Sequence, residues 1–199
     1  MKDLYKRKFF DNEARGWNDR YHQDDKSEIR KLVERFDLKP GNWILDVGTG
    51  NGILLPYLFG KVKDEGKIVA LDFSWDMIFE ATKVEKKTNI CFVNASVEAL
   101  PIKGQTFDCV TCLATFAHVS EKRKAINEMG RVLKKDGRLY IAHLLGKKEL
   151  AEHHRETGGV VKHDILPPDP EMINMMESSG LKDIKIIDQP NLYLASARK

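Results

Sequence analysis

Three glycines at alternate positions, Gly48, Gly50 and Gly52, follow the apolar run Trp43-Ile44-Leu45-Asp46-Val47, which carries one acid near its end. Glycine permits positive φ and lets a ligand approach the backbone closely, so the loop Gly48-Thr49-Gly50-Asn51-Gly52 is suited to receive one. Its spacing argues against two common phosphate-bearing ligands. A dinucleotide fingerprint needs a glycine at the sixth position of the loop, where this chain has Ile53, and the Gly-Lys-Ser/Thr ending of a phosphate loop is absent. Asp46, two residues before the first glycine, would repel a pyrophosphate and suits a cationic amine. A second acid, Asp72, ends the apolar run Lys67 to Leu71, at the place where a carboxylate accepts hydrogen bonds from two ribose hydroxyls. Glycine loop, amine-facing acid and ribose-facing acid together describe a nucleoside joined to an amino acid, which is the make-up of S-adenosylmethionine.

The remaining chemistry-bearing side chains are histidines. Five of the six, His118, His143, His153, His154 and His163, fall in one stretch of the chain. Histidine is the economical base near neutral pH. His118 and His143 read equally well as loop-packing residues and as members of a site. His153 and His154 diverge by roughly 100° on a helix, so only one of them can face a common point. Arg155 and the turn Gly158-Gly159 would fold the segment back, and the expected catalytic residues are therefore His154, His163 and His118. His22 is expected at the surface. No recognised metal-ligand spacing is present, and no metal is expected. Cys109 and Cys112 form a C-x-x-C, but they lie three apart on an apparent strand and should point to opposite faces as buried, inert thiols.

These residues need a frame, and the hydrophobic pattern supplies one. Apolar residues at helical spacing over about 25–36 precede the turn Lys39-Pro40-Gly41-Asn42. Strands follow at Trp43 to Val47, Lys67 to Asp72, Asn89 to Asn94, Phe107 to Leu113 and Arg138 to Ala142. Helices are expected over Ile53 to Phe59 with Gly60 as C-cap, from Ser74 as N-cap to about Lys86, and from Glu121 to Leu133 before the turn Lys134-Lys135-Asp136-Gly137. Further helices are expected over Lys147 to Thr157 and Asp169 to Ser179. The closing strands, Ile184 to Asp188 and Tyr193 to Ala197, should pair as a hairpin. Alternating apolar strands and helices imply a three-layer α/β/α, doubly wound, mostly parallel sheet, with any ligand beyond the C-terminal strand ends.

At 199 residues and 42% hydrophobic content the chain suits one domain with a real core. The net charge of +3 is spread along the chain and argues only weakly for nucleic acid. No apolar run is long enough for a membrane span. The charged N-terminus lacks the apolar stretch of a secretion signal, so a cytoplasmic protein is expected.

Four segments occurring in order carry a resemblance. They are Leu45-Asp46-Val47-Gly48-Thr49-Gly50-Asn51-Gly52, then Ala70-Leu71-Asp72-Phe73-Ser74-Trp75-Asp76-Met77, then Glu98-Ala99-Leu100-Pro101 with Phe107-Asp108-Cys109-Val110, and finally Glu128 to Leu139. Together they resemble the motifs of class I S-adenosylmethionine-dependent methyltransferases, and within that class the branch that includes the ubiquinone/menaquinone-biosynthesis enzymes. The resemblance runs from about Phe9 to Leu144. It implies a Rossmann-like, seven-stranded sheet with the last strand antiparallel. By motif position, Asp46 and the loop Gly48, Thr49, Gly50, Asn51 and Gly52 would hold the methionine part of S-adenosylmethionine. Asp72 would hold the ribose, Phe73 and Met77 would lie beside the adenine, Ser96 and Val97 at its edge, and Leu113 near the methionyl tail. The family usually has an acid or amide where this chain has Ser96.

The resemblance also implies one methyltransferase domain over 1–199, with residues 1–37 as a helical lid region and 143–168 as an acceptor-side insertion. Quinone-pathway relatives suggest a ring-carbon acceptor, so the expected partner is a small molecule, without nucleic acid or membrane, for a monomer or homodimer. The alternatives are a protein or nucleic-acid methyltransferase and a nonenzymatic S-adenosylmethionine-binding protein. The absence of an Asn/Asp-Pro-Pro-Tyr type motif after the fourth strand, where Leu113-Ala114-Thr115-Phe116 stands, argues against a base-amine acceptor.

Overall fold

A computed structural model of the chain describes residues 2–17, 23–84 and 87–199. His22 and the expected end of a helix at Lys86 lie outside the described residues. Two helices, α1 (Lys2–Glu13) and α2 (Gln23–Glu34), precede the alternating region. That region runs β1 (Trp43–Val47), α3 (Leu55–Val62), β2 (Lys67–Asp72), α4 (Trp75–Val84), β3 (Ile90–Asn94), β4 (Phe107–Leu113), α5 (Lys122–Val132) and β5 (Leu133–His143). Then come α6 (Lys147–Thr157), α7 (Asp169–Ser178), β6 (Lys182–Gln189) and β7 (Leu192–Arg198).

The seven strands form one sheet in the order β3-β2-β1-β4-β5-β7-β6. Strands β1 to β5 pair in parallel, while β7 runs antiparallel to both β5 and β6. The strand order reverses at β1, so β1 and β4 part at the switch point where an open α/β sheet receives its ligand.

The central strands β1, β2 and β4 are largely apolar because both faces are covered. Neighbouring residues of one strand enter separate cores, as period-two geometry requires. Leu45, Val110 and Cys112 join a core with Ile126 and Met129 of α5 and Met172 and Met176 of α7. Ile44, Ile68 and Cys109 join another with Ile29 and Leu32 of α2 and Leu55 and Leu58 of α3. The two thiols of the C-x-x-C therefore point apart, and burial pushes both well above the ordinary thiol range.

Three local expectations differ from the structure. Helix α3 does not stop at Gly60. The burial of Val62 carries it one turn further, and Lys63, at φ 60°, donates its N–H to the Phe59 carbonyl at 2.9 Å. Lys134 to Gly137 is not a free turn but the irregular start of β5, where Asp136 at φ 65° donates to the Lys199 carbonyl at 3.0 Å. The helix expected to begin at Ile53 starts two residues later, with Pro56 in its first turn. Ser74 caps α4 as expected, accepting from Met77 N at 3.2 Å. Among the described residues no helix is long and apolar enough to cross a membrane.

Candidate active site

The C-terminal ends of β1, β2 and β4 meet around two adjoining cavities. The larger, of about 490 Å³, falls within the range of small-molecule sites. Its wall runs from Asp72 and Phe73 past Asn94, Ser96 and Val97 to His118, with Lys6 and Arg7 of α1 opposite. The smaller lies against the glycine loop and takes in Asp46, Thr49, Asn51 and Met77, with Phe10 and Trp17 above and Leu113 beside them. Gly48, Asp72, Phe73, Thr115 and His118 border both, so the two form one bent space.

The glycine loop is shaped for contact. Gly48 has φ 67°, and a Cβ there would stand 2.2 Å from the Thr115 side chain. Thr115 locks the approach by donating to the Gly48 carbonyl at 3.1 Å. Both strand-end acids are buried. Asp72 accepts from Gly50 N through Oδ2 and from Ser74 N through Oδ1, each at 2.9 Å. Each carboxylate oxygen retains capacity for a further donor. Burial is the main influence on Asp72 and outweighs these bonds, pushing its carboxyl up to about 6. Asp46 accepts from the Thr111 hydroxyl at 2.9 Å, and burial likewise pushes it up to about 6.

Three buried oxygens here make no well-formed hydrogen bond, Asp46 Oδ2, Thr49 Oγ1 and Asn51 Oδ1, although the Thr49 hydroxyl lies close enough to Asp46 to oppose the upward push of burial on its carboxyl. An unsatisfied buried polar group costs about 1–3 kcal/mol, so such a cluster at a cavity wall points to a polar ligand. A carboxylate and an amide oxygen suit an ammonium, and a hydroxyl can donate to a carboxylate. That donor set fits the amino-acid end of S-adenosylmethionine, and the Asp72 side of the space fits its nucleoside.

The expected cofactor residues Asp46, Gly48, Thr49, Gly50, Asn51, Asp72, Phe73, Met77, Ser96, Val97 and Leu113 all border this space. Gly52 does not. A Cβ at Gly52 would meet Leu55 at 3.1 Å and Ala81 Cα at 3.2 Å, so its glycine lets the loop pack on α3 and α4. Met77 borders the glycine-loop side of the space and not the side of Ser96 and Val97. The Ser96 hydroxyl accepts from Glu98 N at 3.2 Å and so shapes its own loop.

The histidines separate sharply. His118, in a 3₁₀ turn after β4, borders both parts of the cavity. Its Nδ1 lies 2.8 Å from Asp164 Oδ2. His154 is buried behind it, with ring centroids 4.7 Å apart, and its Nδ1 lies 2.5 Å from the Asp164 carbonyl oxygen. Burial holds His154 below the usual imidazole range. His143 is deeper still, with Nε2 unpartnered, and burial drives it down to about 3. His163 is exposed and borders neither cavity, so it is not brought to the site. The reason is local: the turn after α6 directs Asp164 inward, and His163, the preceding residue, outward. Among the described residues no group of three or more His, Cys, Asp or Glu side chains could hold a metal ion.

The expected acceptor wall, 143–168, contributes no lining residue to either cavity. It reaches the site indirectly, through Asp164 on His118 and through Val161, which packs with Phe10, Ala14 and Met77. Helix α1 spans the cavity instead. Phe10 stands edge-on to Phe73 at 5.8 Å and to His118 at 5.2 Å, and the Ser74 hydroxyl donates to Asp11 at 2.5 Å.

Sequence reasoning missed Lys6, Asn94, Thr115 and Asp164. Asn94 ends β3 and was signalled by that position alone, because strand ends face the ligand. Lys6 and Asp164 are 158 residues apart and left no local signal.

A single sheet with only β7 reversed, a glycine loop after β1 and an acid ending β2 define the class I S-adenosylmethionine-dependent methyltransferase fold. Residues 45–141 match the methyltransferase domain family. It is 30% identical over 154 residues to the ubiquinone/menaquinone biosynthesis C-methyltransferase UbiE of Enterobacter sp. (strain 638), covering 73% of this chain and 61% of that protein. The chain spans about half to three fifths of the length of the curated relatives it matches. A SAM-dependent methyltransferase from Aquifex aeolicus superposes with TM-score 0.70 at 27% identity, over 85% of this chain and 88% of that one. A chain of the Haloferax volcanii complex of the Trm112 methyltransferase activator with a methyltransferase shares the fold, with TM-score 0.77 at 20% identity over 95% and 96% of the two chains.

Proposed function

We propose that this protein is an S-adenosylmethionine-dependent methyltransferase acting on a small-molecule acceptor. The observation that carries the reading is the buried polar cluster of Asp46, Thr49 and Asn51 at the cavity wall, with hydrogen-bonding capacity left over, set beside a second buried acid, Asp72, in one continuous space. When bound, S-adenosylmethionine supplies a methyl group already attached to a good leaving group. Asp46 would take its ammonium, Asp72 its ribose hydroxyls, and Phe73, Ser96 and Val97 its base. The protein's remaining tasks are to align an acceptor and to receive any proton the acceptor releases.

The histidine bordering the cavity, His118, is best placed for that proton, and Phe10, Trp17 and Phe73 offer an apolar approach. Such walls suit an aromatic or other flat, mostly apolar acceptor, and the similarity to a quinone-pathway C-methyltransferase supports a ring-carbon acceptor. A cytoplasmic monomer or homodimer completes the reading. Calorimetry with S-adenosylhomocysteine and with NAD tests the ligand class. Binding of the first without the second is expected, and the reverse overturns the assignment. A methyl-transfer screen over quinols, phenols, amines and thiols, read by product mass, tests the acceptor class. No methylated product from any class would favour a nonenzymatic binding protein.

A further inference from the structure

We propose that Asp164 is the positioning residue of the His118 base and that Lys6, carried in on α1, completes the assembly from above the cavity. The proposal rests on the methyltransferase reading and deepens it. Asp164 is buried between two partners: Oδ1 accepts from Lys6 Nζ at 2.7 Å, and Oδ2 faces His118 Nδ1 at 2.8 Å. Lys6 is itself 4% exposed and also donates to the His118 carbonyl at 2.8 Å, so it grips both the main chain of the base and the acid that orients its ring. Burial alone would raise the Asp164 carboxyl, but the bonds from His118 and Lys6 prevail and hold it below the usual carboxylate range.

The tautomer follows from the partner. A carboxylate only accepts, so Nδ1 of His118 must carry a proton, which leaves Nε2 as the ring's proton acceptor. The same logic applies behind it, where the Asp164 carbonyl accepts from His154 Nδ1 and pins the backbone that carries the carboxylate. Phe10 from α1 and the His154 ring from α6 close on the His118 ring at centroid distances of 5.2 and 4.7 Å. The ring is thus held by α1 and by the segment after β5, while its remaining edge borders the cavity.

Two ionisable groups at a cavity wall, Lys6 and His118, joined by a third just behind it, Asp164, are more than a structural tie. A buried ion pair is weak support for stability, since packed apolar residues often serve as well, whereas perturbed groups in a cleft mark function. The charges also suit the reaction. Lys6 Nζ offsets the charge of the Asp164 carboxylate, which holds His118 by Nδ1. As the acceptor's electron pair forms the bond to the methyl carbon, the carbon–sulfur bond breaks with its pair staying on sulfur, and the acceptor's proton goes to His118 Nε2. Positive charge leaves sulfur as it arises on an imidazolium that already faces the Asp164 carboxylate.

Nuclear magnetic resonance of the full chain labelled with ¹⁵N-histidine, free and saturated with S-adenosylhomocysteine, reads the tautomer directly. The wild-type protein should show His118 protonated at Nδ1. Asp164→Asn should release that preference, and Asp164→Glu should restore it at least in part. Lys6→Met should keep the fold while speeding amide hydrogen exchange across α1 about tenfold or more, with β1 and β2 unchanged. A wild-type His118 protonated at Nε2, or an unchanged tautomer in folded Asp164→Asn, overturns the positioning role. Unchanged α1 exchange in Lys6→Met overturns the part given to the helix. If Asp164→Asn does not fold, the wild-type tautomer and Lys6→Met still decide. Failure of wild-type protein to bind S-adenosylhomocysteine would overturn the methyltransferase reading instead, and the ligand-free tautomer would still judge the pair.

Discussion

The two sides of the cavity are built by different means. The cofactor side is local. Asp46, the glycine loop and Asp72 sit on the ends of adjacent strands β1 and β2, and the Asp72 carboxylate binds the loop only 22 residues away. The acceptor side is assembled from afar, since His118 takes its orientation from Asp164, and Lys6 reaches both across 112 and 158 residues. A local site survives as a sequence pattern because one strand–loop–strand unit fixes its geometry. A distributed site depends on the docking of α1 and of the turn after α6, and it leaves no pattern.

Breaking the distributed side should produce the largest effect. His118→Gln removes the proposed proton acceptor, and loss of a general base costs about 10²–10⁴-fold in rate. Steady-state turnover on an acceptor found by the screen, with S-adenosylhomocysteine affinity measured in parallel, checks this. A full-speed variant would leave His118 as a wall residue. The local side should fail differently. Gly48→Ala forces a Cβ to within 2.2 Å of Thr115 at φ 67°, so the loop must shift. Overpacking and positive φ together cost about 2–5 kcal/mol, visible as a lowered Tm and lost cofactor binding. Asp72→Ala comes next and should weaken S-adenosylhomocysteine by about 1.5–3 kcal/mol in calorimetry, the range for hydrogen bonds to a charged group.

How much of this was legible follows the same division. Strands β1 and β2 matched their expected limits because their apolar runs end in punctuation that physics enforces, a glycine loop and an N-capping serine. Spacing alone makes Gly52 look ligand-facing, because it shows that glycine is needed but not why. Its neighbours Leu55 and Ala81 supply the reason, and they belong to two helices. For His154, an expected catalytic residue, a helical wheel does point inward, yet the interior it meets is the Asp164 carbonyl and the back of His118. Inward on a helix does not distinguish a cavity from the residue that lines it.

A pH series sharpens the comparison from the cofactor side. Asp46 binds its proton more readily in the folded protein than in the unfolded chain, its carboxyl being raised from 3.8 to about 6 by burial. Ammonium binding needs the carboxylate, so S-adenosylhomocysteine affinity should hold above pH 6 and fall below it by about tenfold per unit from Asp46, with Asp72, also raised to about 6, adding to the fall. Asp46→Asn should remove the Asp46 share of that slope and leave the share of Asp72. For folding the sign is the reverse: this raised acid removes stability as pH rises from about 4 to 6, because the folded state holds more protons there. His143, driven down to about 3, opposes it, since the unfolded chain binds more protons between pH 3 and 6.5. His143→Phe should remove that opposition and make the decline in stability across pH 4 to 6 steeper.

The smallest expected effect is also the most discriminating, because it separates two neighbouring residues. His163 and Asp164 are consecutive, yet one is exposed and the other buried against Lys6 and His118. A substitution that touches no buried partner, cavity or cap usually changes stability by less than about 0.5 kcal/mol. His163→Ala should therefore leave Tm, S-adenosylhomocysteine affinity and turnover near their wild-type values. Asp164→Ala, one residue on, strands a buried ammonium and unties the base, and loss of one partner of a buried pair costs about 3–5 kcal/mol. If His163→Ala instead slowed turnover with binding intact, the turn after α6 would have to reverse during the reaction, and the exposed histidine would rejoin the site from which this structure excludes it.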